Sequence, residues 1–546
     1  MLFMIQSNCR KKMYHMEYFN TKRFLFLVPS NKCNEEFDKI DKYISLLNKS
    51  GIGTLIEKER KNIGRYGYNP YNLVATIFYC FSQFKSSLRE IEKLCICDLR
   101  VIYLMNQDLP SHNAIKECIN KFILPYQYEI FTLITKTMID ELNINISNQF
   151  LDGSKLEANA NKYKFVFKPT TYHKKLDIKI KILLNEMNIN FLSDDLIKSF
   201  QLKEIICNYI KEENIDINSI PTGRGKRLTK SQKNYKLATE LLNKLLEYEE
   251  KEKICGENRN SYFKTDKDAT AMVLKKDYYS KRSHDFHAGY NVQVLVSSGL
   301  ITMYGVFQDR TDYHTFIPIN NLYNKYYNEY PENICADSGY GIQINYEFMK
   351  QNHIGNYVKF QSWEGESSGK NPQLFYIFDD GVLCLNTCIG EEIPFDKEHH
   401  QRKKNGKLYK FIGCNNCGYS YVCKKKIKNK DEDYRMIELI PEYELLKEQA
   451  RNNLQSPKGI EIRINRSIQV EGTFGQIKQN MNYIRIRRRG LERVKCEIML
   501  MCLGRNIRKF FTLLDDNTNK SNYWQKPSNL KKEHFPYVKP KRKKRD

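Results

Sequence analysis

The sequence predicts an α/β protein: a mixed β-sheet flanked by helices, interrupted by one helical and one cysteine-rich insertion, and preceded by an all-α N-terminal domain. Three observations lead there. Residues 41–145 carry helical periodicity and no strand-like alternation. From about residue 147, short apolar runs bounded by glycine and polar turns alternate with helical stretches. Two of those runs end on an aspartate, Asp152 in QFLDGSKLE and Asp337 in NICADSGYG, and the later helical stretch RINRSIQVEGTFGQIKQN carries Glu471.

Residues 1–40 show little pattern. YNLVATIFYCFSQF is apolar all round, as in a buried helix, and Asn69-Pro70 marks its start. SSLREIEKLCICDLRVIYLM reads as one amphipathic helix, and DLPSHNAIKECINKFI as a turn, a capping Ser111 and a further helix. Short helices on tight turns suit a helix-turn-helix DNA reader or a plain bundle. SNQFLD then reads as a strand ending on Asp152, followed by GYNVQVLVSS and LITMYGVFQD as strands of a meander. YHTFIPINNLYNKYY is helical, NICAD a buried strand, INYEFMKQN a helix and NYVKF a last strand. That order fits an RNase H-like core. The helical insertion, about 155–285, contains the long amphipathic KRLTKSQKNYKLATELLNKLLEYEEKEK; the second insertion, about 361–440, is rich in Gly, Lys and Cys. The expected division is 1–145 helical, 146–510 sheet-containing, and 511–546 a basic tail ending in PKRKKRD.

A chain of 546 residues exceeds one ordinary core, and 41% hydrophobic with 12% aromatic content excludes global disorder. Lys and Arg number 89 against 64 Asp and Glu, a net charge of +25 that suits a polyanion through counterion release. A Lys-rich proteome explains the total equally well, so the arrangement of charge says more. No apolar run approaches the roughly 20 residues that span a bilayer, and the N-terminal stretch turns basic too early for a signal peptide. A cytoplasmic protein without a membrane partner is expected. The 16 cysteines are too sparse for a disulfide scaffold; Cys80, Cys118, Cys207 and Cys335 read as core thiols.

Two strand-end aspartates and a helical glutamate can converge on a pair of divalent cations about 3.5–4 Å apart, as in polymerases and nucleases. Hard carboxylate oxygens suit Mg²⁺ or Mn²⁺. The glycines after Asp152 and Asp337 leave room for a phosphate or a neighbouring backbone. Arg466 precedes Glu471 by five residues and Lys478 follows it by seven, nearly two helical turns, so Glu471 and Lys478 share a face. Either cation could hold a phosphate there. Each acid alone reads as readily as a turn residue or a solvated ion pair. Together, on a basic chain, they are much stronger, while Asp309 and Asp312 in QDRTDYH, Asp285 in SHDFH, and Glu157 remain rivals.

The segments LDGSKLEANANKYKFVFK, FKTDKDATAM, HAGYNVQV, ADSGYG and RSIQVEGTFGQIKQNMNYIRIRRRG resemble bacterial insertion-sequence transposases with a DDE catalytic domain. The branch is the one related to insertion sequence eleven-eighty-two, in the insertion-sequence-four-like group. GYNPYNLVATIFYCFSQFKSSLREIEKLC is similar to the helical, DNA-binding or accessory domain that precedes the catalytic one. The resemblance spans about residues 50–510. It implies Asp152, Asp337 and Glu471 as the Mg²⁺ (or Mn²⁺) triad, and Arg466 and Lys478 as members of a Tyr–Arg–Glu–Lys signature. Here the Arg-to-Glu gap is one residue longer than the common form, and no tyrosine fills the preceding position. The implied reaction is cleavage at transposon ends followed by strand transfer into target DNA. The implied partners are double-stranded DNA, as terminal inverted repeats and target, and a second copy of the chain when two ends are synapsed, at the nucleoid. Arg485, Arg487, Arg488 and Arg489 in RIRRRG would hold neighbouring phosphates. The alternatives are a metal-dependent nuclease on the same fold and a non-catalytic DNA-binding protein derived from a transposase.

YKFIGCNNCGYSYVCKK reads as a zinc knuckle, with Cys414, Cys417 and Cys423 as thiolate ligands and Cys384 as the fourth of a structural Zn²⁺ site. Cys388, His399 and His400 are substitutes for the fourth, and reduced surface thiols are the plain alternative.

Overall fold

The computed structural model describes residues 31–515, except 61–66, 190, 192–194, 222–226, 258, 275–285, 371–372, 379–380, 385–387, 397–399, 424–431, 481–482 and 484. Asp285, His399 and the basic tail from 516 onward lie outside the described residues.

Every described regular element from Asn31 to Leu142 is helical. Pro70 opens the helix Pro70–Ser82, where it needs no N–H partner, and the Asn69 side chain accepts from Tyr71 N at 2.9 Å. All of that helix is buried. The stretch read as one amphipathic helix is instead two, Leu88–Cys97 and Leu99–Met105. The break comes at Asp98, whose backbone is extended and whose carboxylate caps the second helix by accepting from Arg100 N at 2.9 Å. Ser111 caps the helix His112–Cys118 through Ala114 N at 3.3 Å.

The strands that follow are β1 (Asn148–Glu157), β2 (Phe165–Phe167), β3 (Ser261–Phe263), β4 (Thr270–Val273), β5 (Phe286–Ser297), β6 (Leu300–Phe307), β7 (Asn333–Ala336) and β8 (Gly355–Val358). The main sheet has the order β4-β5-β1-β7-β8, with β6 also on β5. β5 is antiparallel to β1, β4 and β6, whereas β1, β7 and β8 are mutually parallel. β1 does not stop at Asp152. It runs on to Glu157, because β5 continues to pair with it as far as Glu157↔Gly289.

Helices cover the sheet. Leu491–Asp515 lies against β6, Pro70–Ser82 and Gln127–Leu142, while Pro457–Arg466 packs on β7 and β8. One apolar cluster runs from Ile40 and Phe78 through Phe150, Val294 and Ile334 to Leu503. The element type changes at about residue 145, but the core does not break there.

The helical insertion holds Thr170–Glu186, Ser199–Glu212 and Lys230–Cys255, which bury Leu176, Ile180, Leu202, Leu241 and Leu245 in a core of their own. The cysteine-rich insertion holds β9 (Phe375–Phe378), β10 (Gly381–Cys384), β11 (Ile389–Ile393), β12 (Lys407–Ile412) and β13 (Tyr434–Leu439), an antiparallel sheet in sequence order. Its core is small, centred on Val382, Tyr409, Phe411 and Leu439. Among the described residues, no helix is long and apolar enough to cross a membrane.

Candidate active site

Register brings the two aspartates together. β1 and β7 pair in parallel as far as Phe150↔Cys335. Two residues further along each strand come Asp152 and Asp337, so the carboxylates stand level, on one face, on strands about 4.8 Å apart. Asp337 is still extended (φ −77°, ψ 170°) and leads into the 3₁₀ turn Ser338–Tyr340. Asp152 therefore sits mid-strand, at the point where its parallel neighbour ends and a cleft opens. Both line a cavity of about 410 Å³ with Glu157, Asn291, Asp312 and Lys478.

Burial pushes the Asp152 carboxyl above the usual carboxylate range. Arg466 and the Gly153 N–H pull it down, and the charges of Asp312 and Asp337 push it up. The Arg466 Nη2 lies 3.5 Å from Asp152 Oδ1, with 12% of its side chain exposed. Arg466 ends the helix Pro457–Arg466, which packs on β7 and so reaches across to β1.

The segment after Arg466 departs from the regular helix expected. It winds through a π turn, Ser467–Glu471, a short α turn, Gly472–Gly475, and a second π turn, Gln476–Asn480. Counting seven residues as two α turns does not apply to such winding, because π turns hold more residues. Lys478 nonetheless reaches the acid cavity, its Nζ 3.5 Å from the Lys155 carbonyl. The Glu471 backbone closes the first π turn; its side chain lies outside the described residues.

Asp312 ranked below the triad in the sequence, and the fold brings it to the same cavity. Its Oδ1 accepts from Asn291 Nδ2 at 2.8 Å and from Gln293 Nε2 at 2.9 Å. Gln293 Oε1 in turn accepts from the Tyr340 hydroxyl. Asn291 and Gln293 are fully buried on β5. Their alternation in GYNVQVLV, two amides inside an apolar strand, was the signal available in the sequence. Gly153 makes room for them: a Cβ there would lie 2.2 Å from Gln293 Nε2. Asp309 lines a different cavity, with Arg259 and Lys495.

RIRRRG lies along the end of β1. Ile486 N donates to the Glu157 carbonyl at 2.8 Å, and Arg485 Nε lies 3.4 Å from Glu157 Oε1. Arg485 and Arg489 donate to the carbonyls of residues 158–160. These two arginines thus fasten the segment, and the Arg487 and Arg489 side chains are exposed.

The cysteines gather elsewhere. Cys384 and Cys388 face each other across the β10–β11 hairpin, with Cys384 N donating to Cys388 O at 3.0 Å. Together with Cys414, Cys417 and Cys423 they line one cavity beside Phe411 and Arg435. Burial, followed by its neighbour Cys384, pushes the Cys388 thiol up. Among the described residues, no three His, Cys, Asp or Glu side chains are grouped closely enough to hold a metal ion, here or in the acid cavity.

A mixed α/β fold with Asp152 and Asp337 in one cavity beside Lys478 defines a class: an α/β protein with an acid-lined cavity at the ends of its parallel strands. Comparison with family models narrows it. Residues 389–511 match the transposase DDE domain, which supports a DDE transposase. The matched region contains Arg466, Glu471 and Lys478, and lies beyond Asp152 and Asp337 in the chain. Comparison with curated proteins and with solved structures returned no match.

The residues present fit a divalent cation. Asp152 and Asp337 offer hard oxygen donors to one cavity, and burial, with the charges of Asp312 and Asp337, raises the Asp152 carboxyl, a rise that a bound cation would offset.

Proposed function

We propose that the chain is a DDE transposase that cuts phosphodiester bonds at transposon ends and joins the freed ends to target DNA. The observation that carries this reading is the level placement of Asp152 and Asp337 in one cavity with Lys478. The transposase match over residues 389–511 supports it. The path β6-β5-β1-β7-β8, an antiparallel meander of β1, β5 and β6 followed by β7 and β8 parallel to β1, supports an RNase H-like core. The motifs around the acids support placement in the insertion-sequence-four-like group, on the branch related to insertion sequence eleven-eighty-two.

Asp152 and Asp337, with Glu471, would hold Mg²⁺ or Mn²⁺. Such ions lower the pKa of an attacking water or 3′-hydroxyl and neutralise charge on the leaving oxygen. Arg466, 3.5 Å from Asp152, opposes the rise that burial imposes on its carboxyl and orients it from one side. Lys478 places positive charge on the cavity wall, where non-bridging phosphate oxygens gain charge during transfer. The amide pair Asn291 and Gln293 holds Asp312 in place at the cavity. In the first step water displaces the 3′-oxygen, leaving a 3′-hydroxyl and a 5′-phosphate. In the second that hydroxyl displaces a target 3′-oxygen, so one ester replaces another and no external energy source is needed.

A pre-cleaved transposon end, incubated with target duplex and Mg²⁺, tests this. Joined product is expected. Cutting of intact ends without any joining would instead make the chain a nuclease on the same fold, and binding without cutting a non-catalytic derivative.

We also propose that the cysteine cavity takes a structural Zn²⁺. Four of its five thiols suffice for a tetrahedral site, and their gathering from three chain segments supports this reading.

A further inference from the structure

We propose that Lys359, Arg463 and Arg466 form a phosphate pocket beside the acid cavity, one that holds the backbone phosphate next to the reacting one. This rests on the phosphodiester reading above and adds two residues, Lys359 and Arg463, that no motif marks.

The three cations line a cavity of about 230 Å³ together with Ile460, Ser467 and Cys335. The buried Cys335 side chain lines the cavity with them. Arg463 Nε and Arg466 Nε are buried without a hydrogen-bond partner among the described residues. An unsatisfied buried donor is costly, more so when charged, and an anion in the cavity would relieve both. The acids nearby sit at the margins. Glu364, 75% exposed, lies 3.4 Å from Lys359 Nζ, and Asp152 lies on the other side of Arg466. Arg463 is held over the buried Trp363 ring at 5.5 Å, which fixes its guanidinium.

Position gives the pocket its meaning. Cys335 lies on β7 and Asp337 one residue past its end, still extended, so the two share one side about 6.6 Å apart along the chain. Arg466 stands between, touching Asp152 on one side and the pocket on the other. A strand lying across this face would put one phosphate at the acids and its neighbour among the cations. Planar guanidinium forks match phosphate oxygens in pairs, and the lysine adds a point charge.

The test uses the full-length double variant Lys359→Gln/Arg463→Gln and a non-specific DNA duplex, without divalent cations. Each lost phosphate contact lowers the slope of log affinity against log salt by about 1, so the double variant should bind more weakly with a slope shallower by about 1–2. Lys359→Arg should keep the wild-type slope. A double variant that melts like wild type and keeps the full slope overturns the pocket; if it misfolds, Lys359→Gln alone is read in the same way. Should wild-type protein bind no duplex, the transposase reading falls, and inorganic phosphate decides the pocket separately. It should raise the melting temperature of wild type but not of the variant, and no shift in wild type would overturn the pocket too.

Discussion

Burial holds the Asp152 carboxyl above the usual carboxylate range, with Asp312 and Asp337 adding to the rise and Arg466 opposing it. The sign for stability follows. A folded-state pKa above the unfolded one means that the native state keeps the proton longer. Stability is then lost as pH rises through the window between the two, and the cost is complete above it. Asp152→Asn should therefore melt higher than wild type at pH 7.5 in EDTA, and the gain should shrink as pH falls through the carboxylate range. Adding Mg²⁺ should raise the wild-type melting temperature and leave the variant unmoved. A variant that melts lower at every pH would mean that the Arg466 contact outweighs desolvation. Gly153→Ala makes a different demand. Its Cβ would meet Gln293 at 2.2 Å, so Gln293 must leave Asp312 or β1 must shift. Overpacking of this kind costs about 1–3 kcal/mol. Chemical denaturation measures it, and an unchanged midpoint would show that Gln293 is free to move.

Elements differ in how much of them the sequence revealed. β5, β6, β7 and the helix Gln343–Gln351 were legible, because apolar runs with turn residues at their ends leave few alternatives. The break at Asp98 was hidden: amphipathic spacing continues across it, and only a side chain turning back to cap marks it. The extension of β1 past Asp152 was hidden as well, since GSKLE looks like a turn until β5 pairs with it. Asp152, Asp337 and Lys478, which line one cavity, were marked by their neighbours in sequence. Asp312, Lys359 and Arg463 were not, because tertiary register alone places them. The cysteine-bearing sheet carries its own prediction. So small an apolar core rarely holds a five-stranded sheet by itself, and a metal staple is a common remedy. Purified protein should contain one zinc per chain, and Cys414→Ser should lower both zinc content and melting temperature. A zinc-free protein whose melting is indifferent to chelator would remove the site.

Across the whole molecule, the N-terminal helices and the main sheet share one apolar cluster, with Leu491–Asp515 between them. The two parts should fold together. A chain beginning at residue 146 would expose that shared face, and its near-ultraviolet circular dichroism should be lost while helical signal persists. Native-like spectra for that shorter chain would show an autonomous sheet domain. The basic balance of the molecule, +25 overall, favours encounter with DNA in a salt-dependent manner. Chemistry depends on far fewer groups. The most direct measurement is Mg²⁺-dependent cleavage of a duplex spanning the DNA that flanks the reading frame, with wild type, Asp152→Asn and Asp337→Asn compared at equal DNA occupancy. Each substitution should lower the rate by more than about 100-fold while binding persists. Cleavage by either variant at the wild-type rate would contradict the assignment of these two aspartates as the reacting centre.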